Sequence, residues 1–208
     1  MIAGETLLLF FTSSLLLALA PGPDNLFVLA QSAQHGRRAG LIVTLGLCTG
    51  ILVHTTAVSL GVAAIFQTSM LAFTLLKCVG GAYLLYLAYL SFRAGSVAGG
   101  VDQVQALRTG RLYRRGVIMN VTNPKVSIFF MAFLPQFVDP TRGAIIPQML
   151  VLGGTFIVAT ILVFGAVSLL AGTFGQWLAR SRRAATILNR TAGVIFALLA
   201  IKLVTTSR

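Results

Sequence analysis

Acidic residues are nearly missing from this chain: Asp and Glu number 4 among 208 residues, against 16 Lys and Arg. So few carboxylates leave little for acid–base catalysis or for a metal centre built of oxygens. Charge of either sign is scarce, at 10%, where a soluble domain carries about a quarter. A chain that is 57% hydrophobic could not cover its surface with polar groups, so a lipid bilayer is its natural solvent. Cysteine is limited to Cys48 and Cys78, both inside apolar runs and without a C-x-x-C, which argues against a disulfide framework or a zinc site. There is no G-x-x-x-x-G-K-[ST] phosphate loop, no H-E-x-x-H and no G-x-S-x-G. The chain is therefore expected to be no enzyme, to hydrolyse no ATP, and to carry no metal and no cofactor. The opening stretch MIAGETLLLF has no Lys or Arg and contains Glu5. A cleavable signal peptide needs a basic start, so the first apolar run is read as a retained membrane helix.

Long apolar runs are abundant. A spanning helix needs roughly 20 apolar residues, and six runs qualify, at about 5–34, 41–66, 70–92, 114–138, 145–173 and 186–205. The gaps between them alternate in charge. Arg37 and Arg38 fill the first, and Arg93, Arg108, Arg111, Arg114 and Arg115 lie in or beside the third. Arg180, Arg182, Arg183 and Arg190 mark the fifth. The second is uncharged, and in the fourth Asp139 and Arg142 cancel. Basic gaps face the cytoplasm, which predicts a multi-pass protein with both termini outside it. The net charge of +12 thus reads as membrane orientation, and no nucleic-acid partner is expected.

The polar stretch RAGSVAGGVDQVQALRTGRL at 93–112 divides a single membrane domain, 1–208, into a first three-helix unit at 1–92 and a second at 113–208. An odd helix count per unit inverts the second relative to the first, so the fold class expected is all-α, six helices in two inverted repeats. Three weak internal matches agree with this. Pro23 falls on Pro124, so that Asp24 faces Lys125; AVSL recurs at 57–60 and 166–169; and Gly81 falls on Gly193.

Pro21, Gly22 and Pro23 interrupt the first helix, and Asn123 and Pro124 the fourth. Proline removes a helix donor and crowds the carbonyl one turn back. At membrane depth the freed carbonyls are tolerated only against protein or a wet cavity. Paired breaks in two halves are a pointer to a transporter's solute site. Asp24 lies about 20 Å from Arg37, and Lys125 about 15 Å from Arg115, at 1.5 Å per residue. Both charges therefore sit near the middle of a layer about 30 Å thick, and they are expected to face each other or a water-filled cavity. A buried ion pair that merely orients helices is the structural alternative. His54 could relay protons or simply pack through a hydrogen bond. Gly46-x-x-x-Gly50 allows close helix approach or a hinge, and Tyr83, Tyr86 and Tyr89 form a stripe suited to packing or to the interface.

These stretches resemble the LysE/RhtB-type amino-acid exporters of bacteria. The resemblance rests on APGPDNLFVLAQSAQHGRRAGLIVTLGLCTG (20–50), LLKCVGGAYLLYLAY (75–89), GVIMNVTNPKVSIFFMAFLPQF (116–137) and LNRTAGVIFALLAIKL (188–203). It covers nearly the whole chain; Ala200 departs from it where related chains often carry glycine. The resemblance implies six helices, an inner-membrane location and proton-coupled export of small amino acids or close derivatives. It places function at Pro21, Gly22, Pro23, Asp24, Asn120, Asn123, Pro124 and Lys125, and Asn25 belongs to the same motif. Lys125 and Asp24 would supply a cation for a solute carboxylate and an acceptor for its ammonium. The alternatives are a metal-ion exporter of related fold, a thiol-redox carrier, an intramembrane enzyme, or a non-transporting assembly subunit. A homo-oligomer is compatible with any of them.

Overall fold

The computed structural model describes residues 2–20, 22–68, 70–93, 107–171 and 182–205. Pro21 and most of the 93–112 linker lie outside these. Among the described residues every regular element is helical. The α-helices are α1 (Gly4–Leu19), α2 (Pro23–His35), α3 (Arg37–Thr68), α4 (Met70–Arg93), α5 (Thr109–Val121), α6 (Pro124–Ile128), α7 (Ile145–Leu170) and α8 (Arg182–Thr205). A π-helical turn, Phe129–Phe133, and short 3-10 turns at Leu134–Phe137 and Pro140–Arg142 join α6 to α7.

Two helical stretches are long and apolar enough to cross a membrane alone, Arg37–Gly61 in α3 and Ile145–Leu170. Two bent pairs would each make one further span. α1 and α2 meet at 63°, and α5 meets Pro124–Phe137 at 49°. The expected proline breaks thus exist, and for the same local reason in both places. Pro23 follows the extended N-cap Gly22, and Pro124 follows the N-cap Asn123. Each proline opens a new helix at the position where its missing N–H costs nothing.

Large apolar side chains cover much of the exterior, while several polar and charged ones are buried. Leu26 is 65% exposed, Leu71 70% and Leu198 61%, while Asp24, Gln31, Asn120, Asn123, Lys125 and Thr160 are buried. α3 packs against α5 and α7, α4 against α8, and α1 and α2 against α7. The α3–α5 contact is backbone on backbone. A Cβ on Gly46 would strike the Tyr113 carbonyl, and one on Gly116 would lie 2.5 Å from the Val43 carbonyl. Gly50 is likewise filled against Asn120, where a Cβ would stand 2.6 Å from its Cβ. Gly193 on α8 abuts the Phe92 ring of α4, and Gly81 is buried on α4. Gly46, Gly50 and Gly193 thus stand where a neighbouring helix approaches too closely for a side chain.

Asp139 and Arg142, expected to cancel, are joined at 3.2 Å. The hydroxyl and amide of Thr141 donate to the Asp139 carboxylate and hold its pKa below the ordinary value. Gln148 donates to the carbonyls of Asp139 and Gly143, so this connection is ordered by its own polar groups.

The apolar interior falls into two clusters. One holds Phe10, Phe129, Phe130, Phe133, Phe137 and Phe156 with surrounding aliphatic residues. The other holds Phe27, Val28, Ala39, Val43, Leu47, Leu112 and Phe164. Along α3 the first begins at Ile51 and the second ends at Leu47. Between them lies the Gly50–Asn120 contact, and with it the polar layer of the molecule.

Candidate functional site

The two helix breaks are stapled by each other's residues. Where α1 ends, its last carbonyls have no partner within the helix. Lys125 Nζ donates to Leu17 O at 3.2 Å and to Ala20 O at 3.0 Å. Asn25 Nδ2 donates to Ala18 O at 2.8 Å. The ammonium so placed also meets the negative end of the α1 dipole. Gly22 leaves it room, since a Cβ there would stand 3.2 Å from Nζ. At the other break, Asn123 Oδ1 accepts from the Lys125 backbone N–H at 3.0 Å, and Asn123 Nδ2 donates to Asp24 Oδ2 at 2.9 Å. Asn123 is thus both the cap of α6 and the link to Asp24. The Asn120 carbonyl accepts from Asn123 N–H at 3.0 Å and from His54 Nε2 at 3.1 Å.

Asp24 is 3% exposed and Lys125 9%. The sequence left open whether these charges face one another or a water-filled cavity, and the first alternative needs a correction. They do not form an ion pair; the ammonium is held by the α1 carbonyls, and the carboxylate by Asn123. The reason is that broken-helix carbonyls are the nearest acceptors needing a donor, and each left bare in hydrocarbon would cost several kcal/mol. The two charges still feel one another electrostatically, and Asn120 and His54 also act on Asp24.

Hydrogen-bonding capacity is left over. Asp24 Oδ1, Asn25 Oδ1 and Asn120 Oδ1 are buried and find no donor among the described residues. Lys125 has three N–H donors, two of which reach carbonyls. Unmet acceptors and a remaining cationic donor are the kinds of group that pair with an ammonium and a carboxylate. Pro23 and Pro124 are exposed on the outer face and act by setting the breaks. Pro21 lies outside the described residues. His54 packs 5.8 Å from the Phe130 ring, with its Nε2 committed to the Asn120 carbonyl. Sequence reading missed Gln31 and Thr160, which are buried with unmet polar atoms. An uncharged polar residue in an apolar helix gives no pattern that would single it out.

Discontinuous helices that meet at buried charges, inside a molecule with an apolar exterior, define a multi-pass membrane transporter architecture. The comparisons narrow this. The family described as LysE type translocator matches residues 15–207, and the chain belongs to that family. It is 34% identical over 192 residues to a homoserine/homoserine lactone efflux protein of Salmonella typhimurium, covering 91% of each chain. An uncharacterized membrane protein of Vibrio cholerae is 33% identical over 91% of each. A leucine efflux protein of Salmonella typhimurium is 25% identical, over 94% of this chain and 93% of the relative. No solved structure matches.

Proposed function

We propose that this chain exports amino acids or close derivatives across the bacterial inner membrane, as a secondary carrier that exchanges solute for protons. The observation that carries the reading is the pair of reciprocally stapled breaks, with Asp24 Oδ1 left without a donor and two of the three Lys125 N–H donors engaged by carbonyls. An α-amino acid offers the complementary groups. The names of the homoserine and leucine efflux relatives support the same solute class. Asp24 is the membrane-depth carboxylate through which proton and ammonium would compete. His54, whose Nε2 donates to the Asn120 carbonyl, would be the relay for that proton in this reading.

Six spans in two inverted halves remain our reading of the architecture. It is supported by the equivalent positions of Pro23 and Pro124 at helix starts. The pairing of α3 with α7 and of α4 with α8 supports it too, since a two-fold axis brings equivalent helices together. Both termini would then lie outside the cytoplasm, and a homo-oligomer is not required.

A resistance screen tests the function. The chain is expressed in bacteria stripped of their own amino-acid exporters and challenged with inhibitory amino acids or toxic analogues. Resistance to at least one, lost in Asp24→Asn with the protein still in the membrane, is the expected result. Resistance to none, or equal resistance in the variant, would refute the reading. In the same cells a reporter fused after Thr68 should read outside the cytoplasm, and a cytoplasmic signal there would overturn the orientation.

A further inference from the structure

Asp24 is not the last buried polar group on α2. Gln31 follows seven residues later, two turns along the same face, and is 0% exposed. Both its Oε1 and its Nε2 lack a hydrogen-bond partner among the described residues. Phe27 and Val28, three and four residues after Asp24, flank the line that joins the two, within the apolar cluster that includes Leu47, Leu112 and Phe164. A leucine would fill this position and leave nothing unmet. Glutamine there leaves two polar atoms bare in an apolar setting, which is unfavourable unless something else meets them.

The spacing says what could. Seven residues of helix rise about 10 Å. Two hydrogen bonds of about 2.9 Å each, joined by a molecule whose ammonium and side-chain oxygen lie about 5 Å apart by ordinary bond lengths, also span about 10 Å. A γ-hydroxy amino acid such as homoserine has that length. The amide offers an acceptor and two donors, so it suits a side chain that both donates and accepts, a hydroxyl or a carboxamide. Helical side chains also lean towards the helix N-terminus, which aims Gln31 towards Asp24.

We propose that Gln31 is the specificity-determining residue of this site, and that the chain's solutes are amino acids with polar, uncharged side chains whose far end it meets. This rests on the export reading above, with Asp24 holding the ammonium. Leucine, which would leave the amide bare, is then a poor solute, because a site built around a hydrogen bond rejects the analogue that lacks it.

Purified wild type and Gln31→Leu are reconstituted into lipid vesicles loaded with labelled homoserine or labelled leucine, and efflux is followed over a concentration series. The expected result is that Gln31→Leu lowers the homoserine-to-leucine efficiency ratio about tenfold, through a higher KM for homoserine. Thermal unfolding in detergent without solute should occur no lower in Gln31→Leu than in the wild type. An unchanged ratio would overturn the assignment while leaving export intact. A lower unfolding temperature would mark Gln31 as structural and overturn it as well. Wild-type vesicles that move neither solute would overturn this assignment too, while the resistance screen decides the export reading separately.

Discussion

Lys125 gives two N–H donors to the end of α1, and Asp24 takes one from the cap of α6. That difference separates their roles. Removing the ammonium strips the Leu17 and Ala20 carbonyls of this donor in the interior, at about 1–3 kcal/mol per bare group. Lys125→Met should therefore lower the unfolding temperature and abolish export together. Asp24→Asn keeps the shape and an acceptor for Asn123, so it should unfold close to the wild-type temperature yet export nothing, since an amide neither exchanges a proton nor balances an ammonium. If the two charges merely neutralised one another, the double variant Asp24→Asn with Lys125→Met would export normally. Efflux and thermal unfolding on the three variants decide it, and wild-type export by the double variant would contradict this account.

The elements show why α3 and α5 can carry that geometry. Their backbones touch at Gly46 and Gly116, one helix turn from the Gly50–Asn120 contact that seats the site. Gly116→Ala should destabilise the protein by about 1–3 kcal/mol, the usual cost of overpacking, because the new Cβ would sit 2.5 Å from the Val43 carbonyl. Gly154→Ala on α7 meets nothing within 4 Å and should be neutral or slightly stabilising. Equal losses in both, by thermal unfolding in detergent, would contradict the packing argument. At this scale much was legible in advance. The breaks could be read because proline acts on its own turn, and Asp24 and Lys125 because charge is conspicuous in an apolar run. Gly46 and Gly50 announced a close approach through their spacing, but Gly116, beside the arginines of RRGVIMN, did not, since its partner is distant in sequence. A direct meeting of Asp24 and Lys125 was one of the two arrangements expected, and they form no ion pair. Freed carbonyls were foreseen, but which donor would satisfy them depends on how α1 and α6 come together, and local chemistry does not encode that. Gln31 and Thr160 were silent because neither charge nor period distinguishes them.

For the whole molecule, the polar layer lies between two apolar clusters, aromatic on one side and mixed on the other. Solute held at Asp24 would be shut off from both faces, so transport requires one cluster to part while the other stays closed. The π-helical turn Phe129–Phe133, which carries three of the aromatic rings, is a natural place for such a movement, since π turns often mark functional positions in helices. Alternate opening around a fixed site between two halves is how carriers built from repeats work. Coupling then follows if one carboxylate serves both proton and ammonium. The most direct measurement is solute efflux from vesicles containing the purified chain, loaded with labelled homoserine and a trapped pH dye, on a step to acidic outside buffer. The account predicts efflux that quickens on the step, carries protons inward, and vanishes in Asp24→Asn. Efflux from wild-type vesicles no faster than from Asp24→Asn vesicles would contradict it.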